Sequence, residues 1–129
     1  MLSPLENHIK KILDSTDQVS YQDVFCDKIY SDEEDVVKIL VGYACQSQTH
    51  SYINSARKLL GEVPRKWMKY NFKSVLDNVV SYDDEWEYRR ILELIQEIFP
   101  ELLGWAVNIG LGSKNVEVDE AAKDFQKFL

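Results

Sequence analysis

The residues best suited to proton transfer, nucleophilic attack or metal ligation are His8, His50, Cys26 and Cys45. Their spacing does not assemble a site. The histidines form neither H-x-x-x-H nor H-E-x-x-H, the patterns that place two imidazoles on one helix face around zinc. The cysteines make no C-x-x-C, and Cys45 sits in an apolar run, where a thiol is usually inert even if His50 approaches it in the fold. There is no glycine-rich phosphate loop and no G-x-S-x-G nucleophile turn. Carboxylates do cluster, as Asp32-Glu33-Glu34-Asp35, Asp83-Asp84-Glu85-Trp86-Glu87 and Glu117-Val118-Asp119-Glu120. Neighbouring residues on a helix point in different directions, so such runs are poor cation cages. The sequence therefore predicts a protein that is not an enzyme and needs no cofactor or metal.

The acids have a second use. The 129 residues carry a formal charge of −7. From Arg57 to Lys73 there are six basic residues and one acid, a net +5, so the remainder carries −12. That balance disfavours non-specific binding to nucleic acid or an anionic membrane and suits a basic protein partner. The basic segment puts Lys66, Lys69 and Lys73 on one helix side with Tyr70 among them. Such a ridge can hold a phosphate backbone, although with an apolar stripe opposite it reads first as a solvated face. Two isolated thiols and the absence of a secretory leader pattern in "MLSPLENHIKK" lead to a cytoplasmic expectation. The longest uncharged apolar run, Leu102 to Ser113, is too short to cross a bilayer.

The elements that must position these residues are helices. Ser3-Pro4-Leu5-Glu6 starts one whose face is Leu5, Ile9, Ile12 and Leu13. Ser20 to Asp23 opens a short helix through Val24, Phe25 and Ile29. Ser31-Asp32-Glu33-Glu34 reads as a capping box before "VVKILVGYAC", apolar on nearly every side and so expected to be central. A helix from about His50 to Leu60 buries Ile53, Ala56, Leu59 and Leu60. Pro64 begins another, with stripe Met68, Phe72, Val75, Leu76 and Val79. Ser81 or Asp83 caps the next, whose stripe is Tyr88, Ile91, Leu92, Ile95, Ile98 and Phe99. "ELLGWAVNIGLG" is a short buried helix stopped at Gly110 or Gly112. Asn115 caps the last, with Val118, Ala121, Ala122, Phe125, Phe128 and Leu129 facing inward. No hairpin signal or period-2 run suggests a strand.

The expectation is one all-α domain over residues 1–129, of stacked antiparallel helical hairpins. A shift of 36 residues pairs Pro64 with Pro100, Tyr52 with Tyr88 and Asp83 with Asp119, among other loose matches. Either a HEAT-like or armadillo-like array or a compact helical bundle accommodates this pattern.

Trp86 does not belong to its helix's apolar stripe. At about 100° per residue it points roughly opposite, among acids. Two readings stand: Trp86 covers a neighbouring hairpin or loop, as Trp67 and Trp105 would elsewhere, or it is a rigid anchor for a basic partner. If helix starts share an edge, the acidic clusters merge there. The candidate partner-binding residues are Asp83, Asp84, Glu85, Trp86, Glu87, Asp119 and Glu120.

The C-terminal part, "DDEWEYRRILELI" followed by "PELLGWAVNIGLGSKNVEVDEAAKDF", resembles the tail of small α-helical immunity proteins from bacterial polymorphic-toxin and contact-dependent growth inhibition systems. The W-E-Y-R-R helix start, the G-x-x-S-x-N link at Gly110, Ser113 and Asn115, and the A-x-D-F ending carry the likeness, over about 45 residues. The resemblance implies a cytosolic inhibitor that binds a cognate toxin directly and stoichiometrically. Such toxins are frequently nucleases with basic clefts. It assigns no contact residues; those above come from charge and helix geometry. The alternatives are a helical-repeat scaffold or adaptor, and a nucleic-acid-binding regulator using the Lys66–Lys73 ridge.

Overall fold

The computed structural model describes residues 3–15, 20–24 and 32–129. Among them every regular element is helical and none is a strand, as the periodicity predicts. The chain divides into two compact units, 1–79 and 80–129.

The first unit holds α1 (Pro4–Asp14), a 3-10 turn (Tyr21–Val24), α2 (Glu33–Gln46), α3 (His50–Gly61) and α4 (Arg65–Val79). The Ser3 hydroxyl accepts from Glu6 N at 3.1 Å, and Pro4 occupies the first turn, where no partner is needed for its nitrogen. Helix α2 is central and packs on α1, α3 and α4. Six of its residues, Val36, Val37, Leu40, Val41, Ala44 and Cys45, are buried. Each large aliphatic side chain removed from water in this way contributes about 1.5–3 kcal/mol. The cap of α2 is Asp32, whose carboxylate accepts from Asp35 N at 3.0 Å, rather than Ser31, which lies outside the described residues. Helix α3 buries the expected stripe of Ile53, Ala56, Leu59 and Leu60, and α4 buries Met68, Phe72, Val75 and Leu76 of its own. The expected helix after Ser20 is a 3-10 turn as far as Val24; Phe25, Cys26 and Ile29 lie outside the described residues.

The second unit is α5 (Glu85–Ile98), a 3-10 turn (Pro100–Leu102), α6 (Leu103–Gly110) and α7 (Val116–Gln126), each helix packed on the other two. Helix α5 is capped by Asp84, not by Ser81 or Asp83. One Asp84 oxygen accepts from both Trp86 N (2.9 Å) and Glu87 N (3.1 Å), while Tyr82 and Asp83 form the turn before it. The buried face contains Tyr88, Ile91, Leu92 and Ile95, widened by Leu94.

Not every residue of the predicted stripes is buried: Leu5, Ile12, Val79 and Ile98 are half-buried. Phe128 and Leu129 are exposed, at 62% and 65%, because α7 stops at Gln126 and the 3.6-residue period no longer carries them inward. Phe128 instead leans on Phe125, ring centroids 5.9 Å apart.

Candidate functional site

The loop between α6 and α7 builds the surface around Trp86, and each of its small or polar residues has a separate task. Gly110 lets α6 approach α5. A Cβ there would collide with the Cζ, Cε2 and hydroxyl of Tyr88, a fully buried ring whose hydroxyl donates to Ala106 O at 2.7 Å. Burial pushes the Tyr88 phenol up to about 12, partly opposed by a backbone hydrogen bond at Gly110. Gly112 takes a left-handed φ of 78°, which reverses the chain. Ser113 Oγ then accepts from Asn115 N at 3.1 Å. Asn115 does two things at once: its Oδ1 caps α7 by accepting from Glu117 N at 3.0 Å, and its Nδ2 donates to Asp83 O at 2.9 Å. That last bond ties the start of α7 to the turn before α5.

The first turns of α5 and α7 therefore lie side by side, and the acidic runs 83–87 and 117–120 share one end of the second unit. Arg89 holds the same two helices further along, with Nη1 and Nη2 both 3.3 Å from Asp124 Oδ2. The cluster Asp32 to Asp35 belongs to the first unit. There Asp32 serves as cap and Glu34 pairs with Lys38 at 3.4 Å.

The candidate residues separate into two groups. Asp84 is committed to its cap, and Glu87 Oε1 accepts from Ser81 N at 3.4 Å. Asp119 latches the loop: Oδ1 accepts from Gly112 N at 2.9 Å and Oδ2 pairs with Lys123 Nζ at 2.9 Å. Lys123, then the Gly112 N–H, hold the Asp119 carboxyl below its ordinary range, and the Lys123 ammonium is held above its own. By contrast, the side chains of Asp83, Glu85 and Glu120 have no hydrogen bond or ion pair among the described residues. Glu120 exerts only a Coulombic pull on Lys123.

Trp86 is 69% exposed. Within the second unit most of its surface is left uncovered, against the reading in which it packs onto a neighbouring hairpin or loop. Trp105 and Trp67 differ from it. Trp105 is half-buried and meets Tyr82 edge-on, centroids 6.3 Å apart, and Trp67 is half-buried on α4. Val116 was missed by the sequence reading. It is 65% exposed at the first position of α7, adjacent in sequence to the Asn115 that joins the two helix starts. The available signal was its place outside the Val118, Ala121, Ala122, Phe125 stripe. Together these give a surface with apolar side chains at two adjoining helix starts and unpaired carboxylates around them.

Elsewhere, Lys66, Lys69, Lys73 and Tyr70 are all exposed on α4, with Lys69 Nζ 5.8 Å from the Tyr70 ring centroid. His50 is exposed at the start of α3, while Cys45 is buried. No grouping of three His, Cys, Asp or Glu that could hold a metal occurs among the described residues. No helix among them is long and apolar enough to cross a membrane. The comparisons with known proteins gave no match: no family model, curated protein or solved structure is significantly similar to the chain.

Proposed function

We propose that the protein acts by binding another protein, and specifically as an immunity protein that neutralises a cognate bacterial toxin domain in the cytosol. The observation that carries this reading is Trp86: a large rigid aromatic, exposed, on a helix start that a two-bond aspartate cap holds in place, beside carboxylates the fold does not use. Exposing a tryptophan adds nothing to folding, whereas interface centres are enriched in it. Unpaired acids around it favour encounter with a basic surface, such as a nuclease cleft, and raise the association rate. The resemblance of the C-terminal part to immunity proteins supplies the toxin; charge and exposure supply the binding mode.

The test is co-expression with the product of the adjacent gene. Rescue of growth and a stoichiometric complex on a sizing column are expected. The triple variant Asp83→Lys, Glu85→Lys, Trp86→Ala leaves the Asp84 cap intact. It should weaken that complex about thirtyfold or more with helix content retained. Absence of both rescue and complex, or a triple variant that binds like wild type, overturns the reading.

One observation favours a second reading. Tyr70 is 71% exposed among three lysines, an arrangement that can stack a base and hold phosphates. Binding to generic RNA or DNA that falls steeply with added salt would select it. A scaffold role without a toxin is distinguished by recovery of a non-toxin partner.

A further inference from the structure

A groove of about 470 Å³, open to solvent, runs between α1, α2 and the start of α3 in the first unit. Its walls include Glu6 of α1, Ile39, Tyr43 and Gln46 of α2, and Tyr52 of α3. Two features of this lining are unusual for a surface crease. The first is Gly42, in the interior of α2 and itself part of the lining. Glycine is among the poorest helix formers, so an interior glycine asks for a reason. Packing among the described residues does not provide one: of these, a Cβ at residue 42 would meet only Gln46 Oε1, at an ordinary 3.5 Å. Beyond that point stands the groove. What glycine secures here is empty space.

The second feature is the chemistry of the walls. Tyr43 and Tyr52 meet edge-to-face, ring centroids 5.5 Å apart. Tyr52 is fixed at its hydroxyl, which donates to Asp14, itself paired with Lys10 at 3.7 Å. Gln46 is held by Nε2 donating to Val79 O at 2.8 Å. The Glu6 carboxylate has no cationic partner among the described residues. No lysine or arginine among the described residues lines the groove. Aromatic rings beside an uncompensated carboxylate select a planar, hydrogen-bond-donating cation.

We propose that this groove receives an arginine side chain of a protein partner. Guanidinium fits better than ammonium because it stacks flat on a tyrosine and presents a two-pronged donor to a carboxylate. A protein source follows from the openness of the cleft, which lets a side chain enter while its backbone stays outside and its cationic head meets the Glu6 carboxylate. The proposal stands apart from the surface around Trp86 and does not depend on the toxin reading.

The probe is the capped tripeptide acetyl-Gly-Arg-Gly-amide, titrated into the full chain and followed by amide NMR shifts. Saturable shifts confined to Glu6 and residues 39–52 are expected, weaker with lysine in place of arginine and absent with alanine. Gly42→Leu fills the space and also improves helix propensity, so it should leave the melting temperature equal or higher while abolishing those shifts. Glu6→Gln should weaken binding about fivefold. The proposal is overturned by equal shifts from the alanine peptide or tighter binding of a phenylalanine peptide. It is equally overturned if Gly42→Leu leaves binding unchanged, or if the shifts fall on the carboxylates of the second unit instead.

Discussion

Replacing Gly110 by alanine is the sharpest test of how the second unit is assembled. One methyl group would be driven into three atoms of the Tyr88 ring, and that ring is completely buried, so it has nowhere to retreat. Overpacking of this kind costs about 1–3 kcal/mol. Shifting the ring also disturbs the 2.7 Å bond from its hydroxyl to Ala106 O. A buried hydrogen bond of that type contributes about 0.5–1.5 kcal/mol. Alanine's better helix propensity, worth at most about 1 kcal/mol, works the other way. Gly110 is the last residue of α6, so little of that gain is available. The expected net loss is about 2 kcal/mol, read as a lower midpoint in urea or a melting temperature lower by roughly 5 °C. A double-mutant cycle isolates the cause. In a Tyr88→Leu background the alanine should cost nothing or stabilise, a coupling of about 1–3 kcal/mol. Stability of Gly110→Ala equal to or above wild type, or additive effects in the cycle, would refute the close approach of the two helices.

Two further outcomes follow from the same end of the unit. Asp84→Ala removes the acceptor of two first-turn N–H groups and should destabilise by about 1 kcal/mol, with Asp84→Asn recovering most of it; chemical unfolding measures both. Asp119 has a depressed folded-state pKa, so its contribution is present above its unfolded value, about 3.9, and disappears as pH falls through the folded value. A carboxyl NMR titration should therefore place Asp119 below the ordinary aspartate range, and Lys123→Met should return it toward that range; no movement would remove Lys123 as the first cause.

The helices were legible because their apolar residues recur with one period and their starts carry capping residues. The stripe of α3 appears in the structure as read, and that of α4 apart from the half-buried Val79. What local pattern left open was which of several capable neighbours does the capping. Ser81, Asp83 and Asp84 are all good caps, and only the turn geometry selects Asp84. Contacts across sequence were invisible for a different reason. Gly110 reads as a helix stop from its own surroundings, yet its glycine identity is required by Tyr88, a residue of another helix. The bond from Asn115 to Asp83 likewise joins two loops whose sequences give no hint of each other. Phe128 and Leu129 were misplaced because a helical period was extended past the end of its helix. Exposure of Trp86, the basis of the candidate site, was foreshadowed by its position off the stripe; only the coordinates could decide whether something covered it.

Acidic helix starts have an ordinary explanation, since carboxylates there cap N–H groups and oppose the helix dipole. The structure tests how far that explanation reaches by showing which oxygens are used. Asp32, Asp84 and Asp119 each accept backbone N–H groups, and Glu87 reaches back to Ser81 N. Those four would be retained in a protein with no partner at all. Asp83 engages only through its main-chain carbonyl, and Glu85 and Glu120 accept no backbone bond. For these three the dipole offers at most about 1 kcal/mol each, screened by salt because the sites face solvent. A surface meant only to fold would gain little by keeping them beside an exposed tryptophan, where like charges repel. Charge left over after the fold is satisfied, adjacent to an aromatic that the fold does not bury, is what a docking surface for a cation requires. That surplus, rather than the acidity of the whole chain, is what carries the proposed docking role.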